Sequence, residues 1–205
     1  MKKLGAVLLL LCLLTGCSSG GKEMNRAVDL RSRLLSGEGC SFDTEVTADY
    51  GDSIHRFSLH CTADSLGNLT FEITKPQTIA GIRGEVSEAG GRLTFDQQAL
   101  QFDLLTDQQL SPVSAPWIFL KTLRGGYLTS AGMEGELLRV SARDSYREDA
   151  LFLDLWLDEN NSPQRAEILW KGRRILTLAI TGFQIDAPKT QAFSLQPYNF
   201  TTCVG

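Results

Sequence analysis

Residues 40–61 read CSFDTEVTADYGDSIHRFSLHC. Two runs, Phe42 to Ala48 and Ser53 to Cys61, flank the turn-forming Asp49-Tyr50-Gly51-Asp52. Apolar residues recur there at every second position, the period of a strand with one buried face. Pairing the runs as an antiparallel hairpin with position numbers summing to 101 sets Phe42 opposite Leu59, Thr44 opposite Phe57 and Val46 opposite His55. The same register sets Cys40 opposite Cys61 on the apolar face, and a disulfide needs that closeness. Cys40–Cys61 is the expected bridge, with Cys203 as the competing partner for either thiol.

The two-residue period continues along the chain. Leu69, Phe71 and Ile73 alternate with polar residues, as do Leu93 and Phe95, then Leu100, Phe102 and Leu104. Leu66-Gly67-Asn68 and Gly90-Gly91 supply turns between these runs. Further runs follow at Leu138 to Ala142, Leu151 to Leu157, Ala166 to Trp170 and Leu176 to Ile180. Asp158 to Pro163 is a strong turn, and the polar Ser141 to Asp149 reads as an exposed loop.

Two segments break the pattern. From Glu23 to Ser36, apolar residues recur at three- and four-residue steps and Gly37 can cap a helix. After Ser111-Pro112-Val113-Ser114-Ala115-Pro116, the run Trp117, Ile118, Phe119, Leu120 and Leu123 is apolar on nearly every side, and Gly125-Gly126 stops it. About ten strands with two helices do not lie flat. The expected fold is mainly β (α+β): a strongly curved antiparallel sheet or unclosed barrel, with an N-terminal and a central helix.

The N-terminus points to the compartment. Met1-Lys2-Lys3 precedes an apolar run of eleven residues, Leu4 to Leu14, which suits a secretory signal and is too short to span a bilayer. It ends in Leu14-Thr15-Gly16-Cys17, which resembles the lipobox of bacterial lipoproteins. In that motif a small residue precedes a cysteine whose sulfur is diacylated and which becomes the new N-terminus. Residues 1–16, with Cys12, are then the signal peptide, Cys17 is the lipidation site, and residues 17–23 are a short flexible tether. Two acyl chains give stable attachment to a membrane.

Composition narrows the function. With 42% hydrophobic and 21% charged residues in 205, the chain is neither disordered nor collagen-like. The formal charge is −4, and loss of Lys2 and Lys3 with the leader makes it −6, so no basic excess serves a nucleic acid. Neither Gly-x-Ser-x-Gly nor a Walker loop occurs. The two histidines, His55 and His60, fall on opposite faces of one strand, and His55 reads as a core residue. Three scattered thiols and two histidines lack metal-ligand spacing, so no cofactor or metal is expected, and no enzymatic activity.

A lipobox, an N-terminal helix, a run of strands, a central helix after Leu110-Ser111-Pro112, and the hairpin Leu155-Trp156-Leu157-Asp158…Pro163-Gln164-Arg165-Ala166-Glu167-Ile168 follow in order. The last strand closes on Ile180-Thr181-Gly182-Phe183. Over residues 24–185 this order resembles the superfamily of the periplasmic lipoprotein carriers LolA and LolB, while residues 186–205 lie beyond the resemblance. The resemblance implies an unclosed barrel whose helices plug the concave side and leave an apolar cavity for acyl chains. Inward residues of this chain that would line it are Phe57, Leu59, Phe71, Ile73, Phe95, Phe102 and Trp117. The expected role is that of a monomeric, lipid-anchored protein of the cell envelope, receiving a lipid or an acylated partner. The alternative is a protein–protein adaptor with a filled core, for example one that regulates a cell-wall enzyme.

Overall fold

The computed structural model describes residues 19–187, apart from 97, 104, 107 and 108. Cys17, Cys203 and the signal segment lie outside the described residues. Helix α1 (Ser19–Ser36) leads into β1 (Gly39–Asp49), β2 (Ile54–Asp64), β3 (Leu69–Lys75), β4 (Arg83–Ser87), β5 (Gly90–Phe95) and β6 (Gln98–Phe102). A small hairpin, β7 (Leu105–Thr106) and β8 (Gln109–Leu110), precedes a 3-10 turn at Pro112–Ser114 and helix α2 (Ala115–Gly125). Strands β9 (Tyr127–Glu134), β10 (Leu137–Arg143), β11 (Leu151–Leu157), β12 (Pro163–Trp170) and β13 (Arg173–Ile185) complete the chain.

Eleven strands form one sheet in the order β6-β5-β4-β3-β2-β1-β13-β12-β11-β10-β9. Every pair in it is antiparallel. The outermost strands, β6 and β9, do not pair with each other, so the strongly curved sheet is unclosed. The expected mainly β half-barrel with an N-terminal and a central helix is the architecture observed. No helix among the described residues is long and apolar enough to cross a membrane.

Three readings need correction. The β1–β2 register sums to 103, with Phe42 opposite Cys61, Thr44 opposite Leu59 and Val46 opposite Phe57. The turn decides this: Tyr50 N–H donates to the Ser53 carbonyl at 3.0 Å, so pairing starts at Asp49 and Ile54, two positions away from the register that matches the thiols. The second concerns the tether, whose residues from Ser19 onward already belong to α1. Gly20 and Gly21 each disfavour a helix by about 1 kcal/mol. The tertiary seat of Ala27, Leu30 and Leu34, all buried, holds the helix as a unit. Third, His55 keeps the inward parity of Phe57 and Leu59 but is exposed, because it lies at the start of β2, beyond the core. Strand β9 also appears where the sequence showed no alternation.

Three arginines clasp the helices to the sheet and to each other. Arg31 Nε of α1 donates to the Leu123 carbonyl in the last turn of α2 at 2.6 Å. Reciprocally, Arg124 of α2 donates to the Leu34 carbonyl in the last turn of α1 at 3.2 Å, and to the Ser65 carbonyl at 2.6 Å. These guanidinium groups satisfy carbonyls that a helix end leaves open. Arg26 ties the front half of α1 to the β11–β12 turn through Asn161 Oδ1 and the Asp158 carbonyl, both at 2.7 Å.

Candidate functional site on the concave wall

The concave wall divides into a covered part and an open arm. Inward positions of β1–β3 and β10–β13, with Val86 of β4, meet one face of α1 and nearly all of α2 in a single cluster. Trp117, Ile118, Phe119, Leu120 and Leu123 of α2 are all buried. Phe119 meets Phe42 edge-on with ring centres 5.9 Å apart, and both approach Phe183, at 6.3 and 5.6 Å. The apolar residues of this helix are thus accounted for by enclosure, while Lys121 and Gly125 stay at the surface. Of the expected cavity-lining residues, Phe57, Leu59, Phe71, Ile73 and Trp117 are members of this core.

Phe95 and Phe102 lie on the arm formed by β4–β6, where Phe102 packs against the margin of the core. There Leu93 pairs with Leu100, and Gly91 with Phe102, on the face that carries Phe71. The arm leaves Phe95 58% and Leu100 65% exposed, while Leu93 and Phe102 are half-buried. Glycines make room for the rings: a Cβ on Gly84 or Gly91 would fall inside Phe71 or Phe102 respectively. Leu100 was legible as a strand residue. Its exposure was not, because alternation gives a residue's side of the sheet and not what lies over it.

Where α2 ends, a groove of about 410 Å³ runs past the β2–β3 loop. Its apolar lining is Leu35, Leu66 and Trp117; Lys121 and Arg124 add charge. The Lys121 ammonium sits 4.8 Å from the centre of the Trp117 ring and 3.4 Å from Glu88.

The thiols of Cys40 and Cys61 are buried and free. With Cys61 facing Phe42 and Cys40 facing Ala63, they are diagonal neighbours, a relation looser than the directly opposed one that the expected bridge required. Burial, with the nearby Asp186 charge adding to it and Arg124 opposing it, pushes the Cys40 thiol from an ordinary value near 9 up to about 12. Burial raises Cys61 as well, with Asp43 contributing. Each thiol therefore ionises more readily in the unfolded chain. The stability present below pH about 9 is lost progressively as pH rises toward the folded values. A mature chain without residues 1–16, carrying Cys17→Ser and Cys203→Ser, should show two thiols to a disulfide reagent when denatured without reductant, and almost none when native at pH 8. Fewer than two in the denatured chain would mean that a bridge forms after all.

On the convex face His60 Nδ1 lies 2.8 Å from Asp43 Oδ1, with both side chains exposed. Among the described residues no group of three or more His, Cys, Asp or Glu side chains is arranged to hold a metal ion.

No family model matches this chain, and no curated protein matches it in sequence. Among solved structures it is similar to a putative outer membrane lipoprotein-sorting protein domain from Vibrio parahaemolyticus, at 10% identity over 88% of this chain and 97% of the other, with a TM-score of 0.43. A LolA superfamily protein from Nitrosomonas europaea is similar at 9% identity over 77% and 92%, with a TM-score of 0.40. So is a chain in the complex of the CwlD amidase with the GerS lipoprotein from Clostridioides difficile, at 16% identity over 83% and 98%, with a TM-score of 0.42. These are similarities only; the strongly curved, unclosed antiparallel sheet with an N-terminal and a central helix is what the chain itself shows.

Proposed function

We propose that the chain is a lipid-anchored adaptor of the bacterial cell envelope, which recognises a protein partner by its surface. The observation that carries this reading is α2, whose buried face takes up the concave wall where an acyl cavity would otherwise lie. Trp117, Phe57, Leu59, Phe71 and Ile73 are buried members of one hydrophobic cluster and are taken up by the core. Cys17 would carry the lipid, and attachment by two chains would keep the domain in the envelope.

A second reading, an acyl-chain binder, is favoured by one feature only, the exposed Phe95 and Leu100 on the inner side of the β5–β6 hairpin. Lipid content separates the two. Mature chain carrying Cys17→Ser, purified from its native host and extracted for mass spectrometry, should carry no stoichiometric lipid and should not take up a fluorescent fatty acid. Cross-linking in the envelope should join it to one protein at a fixed ratio. A stoichiometric acyl ligand in repeated preparations would replace the adaptor reading by the second.

A further inference from the structure

The groove at the end of α2 leaves two leucines in water. Leu66 of the β2–β3 loop is 82% exposed and Leu35 of α1 is 51% exposed, and both line the groove. The loop holds Leu66 there. One oxygen of the Asp64 carboxylate accepts the N–H groups of Leu66 and Asn68, each at 2.9 Å, and the other accepts Asn68 Nδ2 at 2.8 Å. Arg124 bridges the two segments by donating to the carbonyls of Leu34 and Ser65, the residues just before the two leucines. A guanidinium held by its edge keeps its face for an aromatic ring. Gly67 preserves access to it, since a Cβ there would sit 3.2 Å from Arg124 Nε.

The last described residues stop beside this groove. Asp186 N–H donates to the Gly39 carbonyl at 3.0 Å, and the Asp186 carbonyl accepts from Glu38 N–H at 3.3 Å, so Asp186 lies along the link between α1 and β1. That link begins two residues after Leu35, and Gly39 pairs with Asp64, which holds the Leu66 loop. Residues 188–205, outside the described residues, read PKTQAFSLQPYNFTTCVG. Segments that remain solvated are poor in aromatics and rich in charge. This one carries Phe193, Leu195, Tyr198 and Phe200, with Lys189 as its single charged side chain. Phe193 lies six residues beyond Ala187, a reach of about 20 Å, enough to set its ring in a groove that starts beside the exit.

We propose that residues 188–205 of this chain turn back onto the groove at the end of α2, where their aromatic side chains cover Leu35 and Leu66 and stack on Arg124. The proposal stands apart from the adaptor reading. The groove is then an internal seat, closed to a partner unless the segment is displaced.

Thermal unfolding of mature chains carrying Cys17→Ser and Cys203→Ser tests this. Removing residues 188–205 should lower the midpoint by about 3 °C or more. Leu66→Ser should lower it by about 3 °C or more in the mature chain, and by less than about 1 °C in the shortened one, where Leu66 faces water. Photo-crosslinking locates the segment: with benzoylphenylalanine in place of Phe200, the chief adduct should form within one chain, at residues lining the groove such as Leu35, Leu66 or Trp117. An unchanged midpoint on shortening, equal effects of Leu66→Ser with and without the segment, or adducts elsewhere on the domain would overturn the proposal. So would adducts between two chains, because the segment would then cover a second copy. Should the shortened chain not fold, the adducts alone decide.

Discussion

Phe119→Ala should destabilise the domain by about 3–5 kcal/mol, the range for an aromatic side chain removed from a closed core. For a chain of this size that lowers the thermal midpoint by about 6–20 °C. Phe119 is fully buried and its ring is held by Phe42 and Phe183, which belong to β1 and β13 at the centre of the sheet. The surrounding strands are fixed by their ladders on both sides and cannot close over the void, so the cavity cost adds to the lost burial. Urea denaturation of the wild-type and variant chains measures it. A loss below about 1 kcal/mol would mean that α2 is loosely seated, and the filled-wall argument for an adaptor would go with it.

Gly84→Ala should cost about 1–3 kcal/mol by overpacking. The Phe71 ring of β3 lies directly over Gly84 of β4, and the Arg92 carbonyl of β5 stands 3.0 Å from where the new methyl group would sit. Neither neighbour gives way freely: Phe71 is buried in the core and Arg92 O is backbone. If the clash is with the ring, shortening it should help. Phe71→Leu combined with Gly84→Ala should be more stable than the sum of the two single changes predicts, with a coupling of about 0.5–3 kcal/mol. Strict additivity in this double-mutant cycle would place the strain in the backbone instead.

The period-two pattern carried the fold because it survives errors of register. Slipping β1 against β2 by two positions leaves Phe42, Val46, Phe57 and Leu59 on the same face, so the inward set was legible while the pairing was not. A cross-strand bridge depends on register as well as on face, which is why the Cys40–Cys61 expectation did not survive the Tyr50–Ser53 turn. Strand β9 was illegible for a related reason. An edge strand with a bulge at Thr129 and a run of Ser, Ala and Gly has little to alternate. The split among the expected cavity residues was likewise beyond the sequence. Phe57 and Phe95 have the same local pattern, yet one is buried and the other exposed.

The arginine clasps on α1 also bear on mechanics. If Cys17 is held in a bilayer, any tug between membrane and partner enters the domain along the axis of this helix. Its resistance is spread over the Arg26, Arg31 and Arg124 contacts, in both halves of the helix and on two other parts of the fold, the β11–β12 turn and α2. Such an arrangement is stressed in shear, where several bonds must give together, and not peeled one at a time. The amino end is therefore a firm handle on the domain.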